Sequence, residues 1–182
     1  MISMRPLEPG DVDAVHALIS SIDVVRYMLL PVCLRTESEK FLRDALLESP
    51  SDPWRSIVRG ICKGPSGDLA GLCGVVILRG AEQGEIWYLV EPKSWGKGIA
   101  TAAVKHLLEF GFGELGLHRI WATCLPENPA SARVLEKVGM RKEGFLVNNL
   151  KIHGVWKSSL LYAMLAEEWN RPALNSSAES GR

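Results

Sequence analysis

Apolar residues recur along this chain with two different periods, and the change of period divides it. Between Asp11 and Leu47 they return every three or four positions, as on one face of a helix. Val12, Val15, Leu18 and Ile19 predict a helix running from a cap at Asp11 to about Ser20. Val24–Met28 continues it or begins a second one, which Pro31 stops. Thr36-Glu-Ser-Glu39 has capping-box spacing and opens another helix, with Phe41, Leu42, Ala45 and Leu46 as its buried stripe. Pro50–Pro53 breaks that helix, and ahead of all of them Met1–Leu7 reads as a short strand.

From Trp54 the pattern becomes strand-like. Trp54–Cys62, Leu69–Leu78 and Glu85–Val90 predict three consecutive strands, with turns at Gly64–Asp68 and Gly80–Gly84. Connections this short predict an antiparallel meander. Ile99, Ala103, Leu107 and Phe110 return to helical spacing until Gly111, Gly113 and Gly116 end the helix. His118–Leu125 predicts a further strand. Asn128 caps a short helix with Ala132, Leu135 and Val138 turned inward, and Gly139 ends it. Arg141–Leu150 and Val155–Leu165 predict a closing hairpin across Lys151–Gly154.

The order expected is βααββββαβαββ: one mixed α/β domain over residues 1–166, around a mostly antiparallel twisted sheet of about seven strands. Residues 167–182 read as a polar, disordered tail, the last ten above all.

Composition narrows the function classes. The chain has 182 residues, 47% of them hydrophobic and 23% charged, as in an ordinary soluble globule. Lys+Arg and Asp+Glu number 21 each, so no overall field recruits nucleic acid or an anionic membrane. No apolar run approaches the roughly 20 residues of a membrane-spanning helix, and Met1–Pro6 lacks a signal peptide's apolar segment. Cys33, Cys62, Cys73 and Cys124 match no zinc or redox spacing and read as buried reduced thiols. His16, His106, His118 and His153 are scattered over different elements, so no metal site or triad is expected. A cytoplasmic protein is expected.

The chemistry concentrates in Glu91-Pro-Lys-Ser-Trp-Gly-Lys-Gly-Ile-Ala-Thr-Ala-Ala103. A strand, a glycine loop and a helix start in that order form an anion site, because the first-turn N–H groups lack partners and the helix dipole adds positive charge. Lys93 and Lys97 add charge beside it. The same glycines would also serve as a packing turn. Thr101 stands where a dinucleotide fingerprint needs its third glycine, and the Gly-Lys-Ser/Thr of a P-loop is absent.

A third pattern fits. Lys93-x-x-Gly96-x-Gly98-Ile-Ala100 resembles the acetyl-CoA pyrophosphate loop of the GNAT N-acetyltransferases, with lysine in the Gln/Arg place. Asn128-Pro-Ala-Ser131, followed by a helix and Gly139-Met140, resembles that family's second signature. Arg26-Tyr27-Met28, Glu85–Pro92 and Arg141-Lys-Glu143-Gly144 are similar to segments of its RimJ/RimL-like branch, so the resemblance runs from about Met4 to Leu165.

The resemblance implies direct acetyl transfer from acetyl-CoA to a primary amine, either a protein N-terminus or a small molecule, with no metal. It implies a sheet splayed at the acetyl-CoA site. Backbone N–H groups near Val90 would then polarise the thioester, and those of Trp95, Gly96, Lys97, Gly98, Ile99 and Ala100 would hold the pyrophosphate. Asn128 would bond the pantetheine arm, serve as a helix cap, or both. Glu85 is the candidate base, acting through water, with Glu143 behind it; Glu85 could equally be a solvated strand-end carboxylate. Many family members place an acidic tyrosine where this chain has Leu135, which leaves Ser131 as the candidate acid, or Ser158 or Ser159. The acceptor pocket would be built from Val24–Val32 and Arg141–Val155, in a monomer or a homodimer. Two other readings stay open. One is a regulatory module that binds acetyl-CoA without turnover, suggested by Leu135; the other is a nucleotide-binding oxidoreductase or kinase, suggested only by Gly96-x-Gly98.

Overall fold

A computed structural model describes residues 2–47, 54–64, 67–78, 80 and 82–169. The helical stretch folds as α1 (Val12–Ile19), α2 (Ile22–Val25) and α3 (Arg35–Leu47), after a short strand β1 (Ile2–Arg5). The alternating stretch folds as β2 (Trp54–Lys63), β3 (Asp68–Leu78) and β4 (Gln83–Val90). Then come α4 (Ile99–Glu109), β5 (Arg119–Cys124), α5 (Pro129–Lys137), β6 (Arg141–Ile152), β7 (Val155–Leu165) and α6 (Ala166–Trp169). Among the described residues three strands, not four, lie between α3 and α4, giving a sheet of seven in the order β1-β2-β3-β4-β5-β7-β6.

Every neighbouring pair is antiparallel except β4 and β5. That parallel pair is joined only at Gln83↔Arg119, Gly84↔Ile120 and Glu85↔Trp121. Beyond Glu85 the two strands part, although β4 runs on to Val90 and β5 to Cys124.

Side chains alternate across the sheet and bury two cores. On one face Ile86, Val90 and Ile120 pack with Val104 and Leu107 of α4 and Leu135 of α5. On the other, Leu72 and Leu89 pack with Val15, Ile19, Val25 and Leu42 of α1–α3. All four cysteines are free and buried.

Several local expectations are corrected. Asp11 does not cap α1: Arg5 donates two bonds to its carboxylate, at 2.7 and 2.8 Å, and the Glu8 N–H donates a third. The carboxylate closes a 3-10 turn at Pro9–Asp11 instead. Thr36 does not open α3. The helix starts a residue earlier, and Glu37 accepts from the Leu34 N–H at 2.6 Å. In its stripe Leu42 is buried, while Leu46, near the helix end, is 42% exposed. Gly111 and Gly113 do not fray α4; they lie in a π-helical turn, Phe110–Glu114, that extends it. Residues 166–169 form α6, and Trp169 packs against Phe112 with ring centroids 6.3 Å apart. The break at Pro50–Pro53, Pro65 and Ser66 of the first turn, Ala81 of the second, and the disorder expected near the C-terminus lie outside the described residues.

The outer hairpin turns at His153-Gly154, both with positive φ, and β6 bulges twice against β7. Among the described residues no helix is long and apolar enough to cross a membrane, and no group of three or more His, Cys, Asp or Glu could hold a metal ion.

Candidate active site

The loop after β4 is built from main chain. A 3-10 turn at Pro92–Ser94 leads into Gly96 and Gly98, with φ of 72° and 76°. That left-handed backbone is open to glycine and strained for other residues. It ends directly on α4, whose first internal bond runs from the Ala102 N–H to the Gly98 carbonyl. The N–H groups of Gly96, Lys97, Gly98, Ile99, Ala100 and Thr101 therefore have no acceptor among the described residues. The Trp95 N–H is not one of this set, because it closes the 3-10 turn on the Pro92 carbonyl at 3.1 Å. Its indole N–H donates instead to the Val90 carbonyl at 2.7 Å.

The loop is clamped from below. Lys63 and Lys93 form ion pairs with Glu91, and the buried Ser94 hydroxyl donates to the same carboxylate at 2.7 Å. Burial alone would raise the Glu91 pKa, but Lys63, Ser94 and Lys93 together pull it down to about 2. Lys93 is thereby drawn to the clamp, and Lys97 donates to the Lys93 carbonyl at 2.7 Å.

Beside the loop, the parting of β4 and β5 opens a cavity of about 780 Å³. The Glu91 N–H donates to Ala70 of β3. Successive residues of a strand point their N–H groups to opposite sides, so the Val90 N–H faces the gap. Of the residues expected from the sequence, Glu85, Val90, Trp95, Gly96, Gly98, Ile99, Ala100, Asn128 and Ser131 line this cavity; Lys93 and Lys97 do not. Its free cations are instead Arg133 and Lys137 of α5, neither of which makes an ion pair among the described residues.

Asn128 caps α5 by accepting from the Ser131 N–H at 3.2 Å, and it faces the cavity as well. Ser131 Oγ lies 2.8 Å from the hydroxyl of Tyr88, which sequence reasoning missed. Burial pushes the Tyr88 phenol well above its ordinary range, and the bond to Ser131 offsets only part of this. The signal was a single hydroxyl in an otherwise apolar run, since a buried phenol needs a partner.

Glu85 sits at the last β4–β5 pair before the gap, with the parity of Trp87 and Leu89, which pack on the α1–α3 face. Tyr88 shares the parity of Ile86 and Val90, on the α4–α5 face. Burial raises the Glu85 pKa, and among the described residues this carboxylate has no hydrogen-bond or ion partner. The remaining candidates do not reach the cavity. Glu143 is held by Arg119 and Arg141, which bring its pKa to about 2. Ser158 accepts from the Asn148 N–H, and the buried Ser159 donates to Asn149, each at 3.0 Å. Of the two segments expected to form the acceptor pocket, Val24, Arg26–Leu30, Leu150 and Ile152 line it.

Residues 2–141 match the family described as Acetyltransferase (GNAT) domain. Over 86 residues the chain is 46% identical to the uncharacterized N-acetyltransferase YnaD of Bacillus subtilis, an alignment covering 47% of this chain and 51% of YnaD. The chain thus matches about half the length of that relative. It is 26% identical to the spermidine N(1)-acetyltransferase of Escherichia coli, over 92% of this chain and 88% of that one. Among solved structures, a GNAT-family acetyltransferase from Bacillus anthracis superposes with a TM-score of 0.80 at 32% identity, covering 92% and 96% of the two chains. RimJ of Mycobacterium smegmatis, in complex with CoA-disulfide, gives 0.80 at 26% identity, covering 93% and 84%. The chain belongs to the GNAT acetyltransferase family.

Proposed function

We propose that this chain moves an acetyl group directly from acetyl-CoA to a primary amine, on a small molecule or a protein N-terminus. The observation that carries this reading is the gap between β4 and β5, which ends on the partnerless N–H groups of the glycine loop. Those donors suit a pyrophosphate, and Arg133 and Lys137 add positive charge nearby. The Val90 N–H is aimed where a thioester carbonyl would develop negative charge. Glu85, its carboxylate made more basic by burial, takes the ammonium proton through water. The amine nitrogen then bonds to the acetyl carbon as the carbon–sulfur bond breaks. Ser131, oriented by Tyr88, donates a hydrogen bond to the departing sulfur. Within the family the Trp95–Thr101 loop and Asn128–Ser131 favour the RimJ/RimL-like branch. We read residues 1–166, with α6 packed on them, as the catalytic domain of a cytoplasmic protein.

Calorimetric titration with acetyl-CoA, with NADH and ATP as controls, tests the cofactor; release of free CoA thiol in the presence of amines tests transfer. Selective acetyl-CoA binding with transfer is expected. Binding without transfer would favour a regulatory module, the reading suggested by Leu135, which is buried in the core and not at the cavity. Preference for NADH or ATP would sink both.

A further inference from the structure

The acceptor end of the cavity has an uneven charge inventory. Its apolar walls are Tyr27, Met28 and Leu30 after α2, Trp87 of β4, and Leu150 and Ile152 of β6. Asp23 is paired with Arg26, whose guanidinium also lies 5.8 Å from the Tyr27 ring centroid. Glu127 is paired with Lys157 at 2.9 Å. Among the described residues Glu85 is thus the one acidic side chain of the cavity without a partner. A lone carboxylate in an apolar chamber balances one ammonium. A second ammonium would meet apolar walls or the Arg26 guanidinium and lose its hydration with no counter-charge. A carboxylate next to the amine, as in a free amino acid, would face Glu85 and be repelled, because Arg133 and Lys137, unpaired among the described residues, are on α5, which packs on the opposite face of β4.

On the transferase reading above, we infer that the acceptor is a single ammonium carried by an apolar body, and that polyamines and free amino acids are poor acceptors. This chemistry has two sources, an arylalkylamine or a peptide N-terminus with an apolar first residue. In either case the ammonium loses one proton toward Glu85, nitrogen replaces sulfur on the acetyl carbon, and the second proton that the nitrogen sheds ends on the sulfur, so CoA leaves as the thiol.

The test compares kcat/KM for phenylethylamine, a leucine-initiated tetrapeptide amide, spermidine and free leucine at fixed acetyl-CoA. The better of the first two should exceed spermidine and leucine by roughly tenfold or more, the scale of one well-matched contact; which of the two wins identifies the source. Spermidine or leucine turned over as fast overturns the inference and leaves the transferase reading standing. Acetyl-CoA bound without transfer to any of the four overturns both. Leu29→Glu, at a position 64% exposed on the cavity rim, supplies a second carboxylate and should raise spermidine turnover relative to phenylethylamine. An unchanged ratio would mean that missing counter-charge is not what excludes polyamines.

Discussion

Two sides of β4 present two kinds of site. Toward α4 and α5 the groups are main-chain N–H donors, a satisfied hydroxyl pair and a loop clamped by Lys63, Glu91 and Ser94. Toward α1–α3 they are side chains: apolar walls, one neutralised ion pair and one carboxylate with no partner among the described residues. A site of main-chain donors depends on backbone path and recognises a constant group such as pyrophosphate. A site of side chains is rewritten by single substitutions, which suits a variable acceptor. The difference has an energetic face as well. Glu91 favours the fold in its charged form, whereas Glu85 is held charged at a cost.

The largest effect should come from the loop. Gly98→Glu forces a side chain into left-handed backbone, a strain of about 1–2 kcal/mol, and sets a carboxylate among the N–H donors. Acetyl-CoA affinity should fall by roughly 100-fold or more, the loss of two or more charge-assisted hydrogen bonds. Unchanged calorimetric affinity would remove the loop from the cofactor side.

Next comes Glu85→Gln, with a fall in kcat of about 100-fold and little change in acetyl-CoA affinity. A matching loss of affinity would erase the distinction between the two sides. The same variant has a stability signature. The Glu85 pKa is raised in the folded state, so its contribution is present at low pH and lost as pH rises through that raised value. Glu85→Gln should therefore raise Tm at pH 7–8, and the gain should shrink toward pH 4.

Ser131→Ala should lower kcat by about tenfold and Tyr88→Phe by about threefold, the range of one lost neutral hydrogen bond. Steady-state rates in amine-saturated assays would reveal the order; a larger loss for Tyr88→Phe would make the phenol the direct donor. The clamp should act on stability and not on rate. Glu91→Gln should cost about 1–2 kcal/mol in urea denaturation at pH 7. With its pKa depressed, the Glu91 contribution is present above about 4.5 and lost as pH falls toward about 2, so the difference between the proteins should vanish in acid.

The same contrast governs what could be read from sequence. The loop and the Asn128 cap were legible because both are local: glycines at turn spacing and an asparagine three residues before its donor. The meander and the inward stripe of α5 followed from periodicity. Tyr88 was hidden because its partner lies 43 residues away and is met only once α5 packs on β4. Lys93 and Lys97 were visible as charge, but their direction was not: Glu91 draws Lys93 down to the clamp, and Lys97 folds back on the Lys93 carbonyl. Arg133 and Lys137 were not singled out, because nothing local in the sequence sets α5 beside the gap. Asp11 carried a strong local cap signal, and the bidentate bond from Arg5 outcompeted it. Glu143 was legible as a motif residue, but its arginines fix it outside the cavity.

The outer borders of the sheet bear on how copies of this protein behave when crowded. An open strand border offers unpaired amide and carbonyl groups that a second chain can extend, the first step toward fibrillar association. Here one border, β1, is four residues long. The other, β6, is interrupted where Glu143 and then residues 147–149 fall out of register with β7, and Asn148 takes a φ of 45°. Such irregularities twist a border and break the even spacing that templating needs. Phe145 and Val147 can therefore stand exposed on β6 without offering a flat, continuous ladder on which a second chain could extend the sheet.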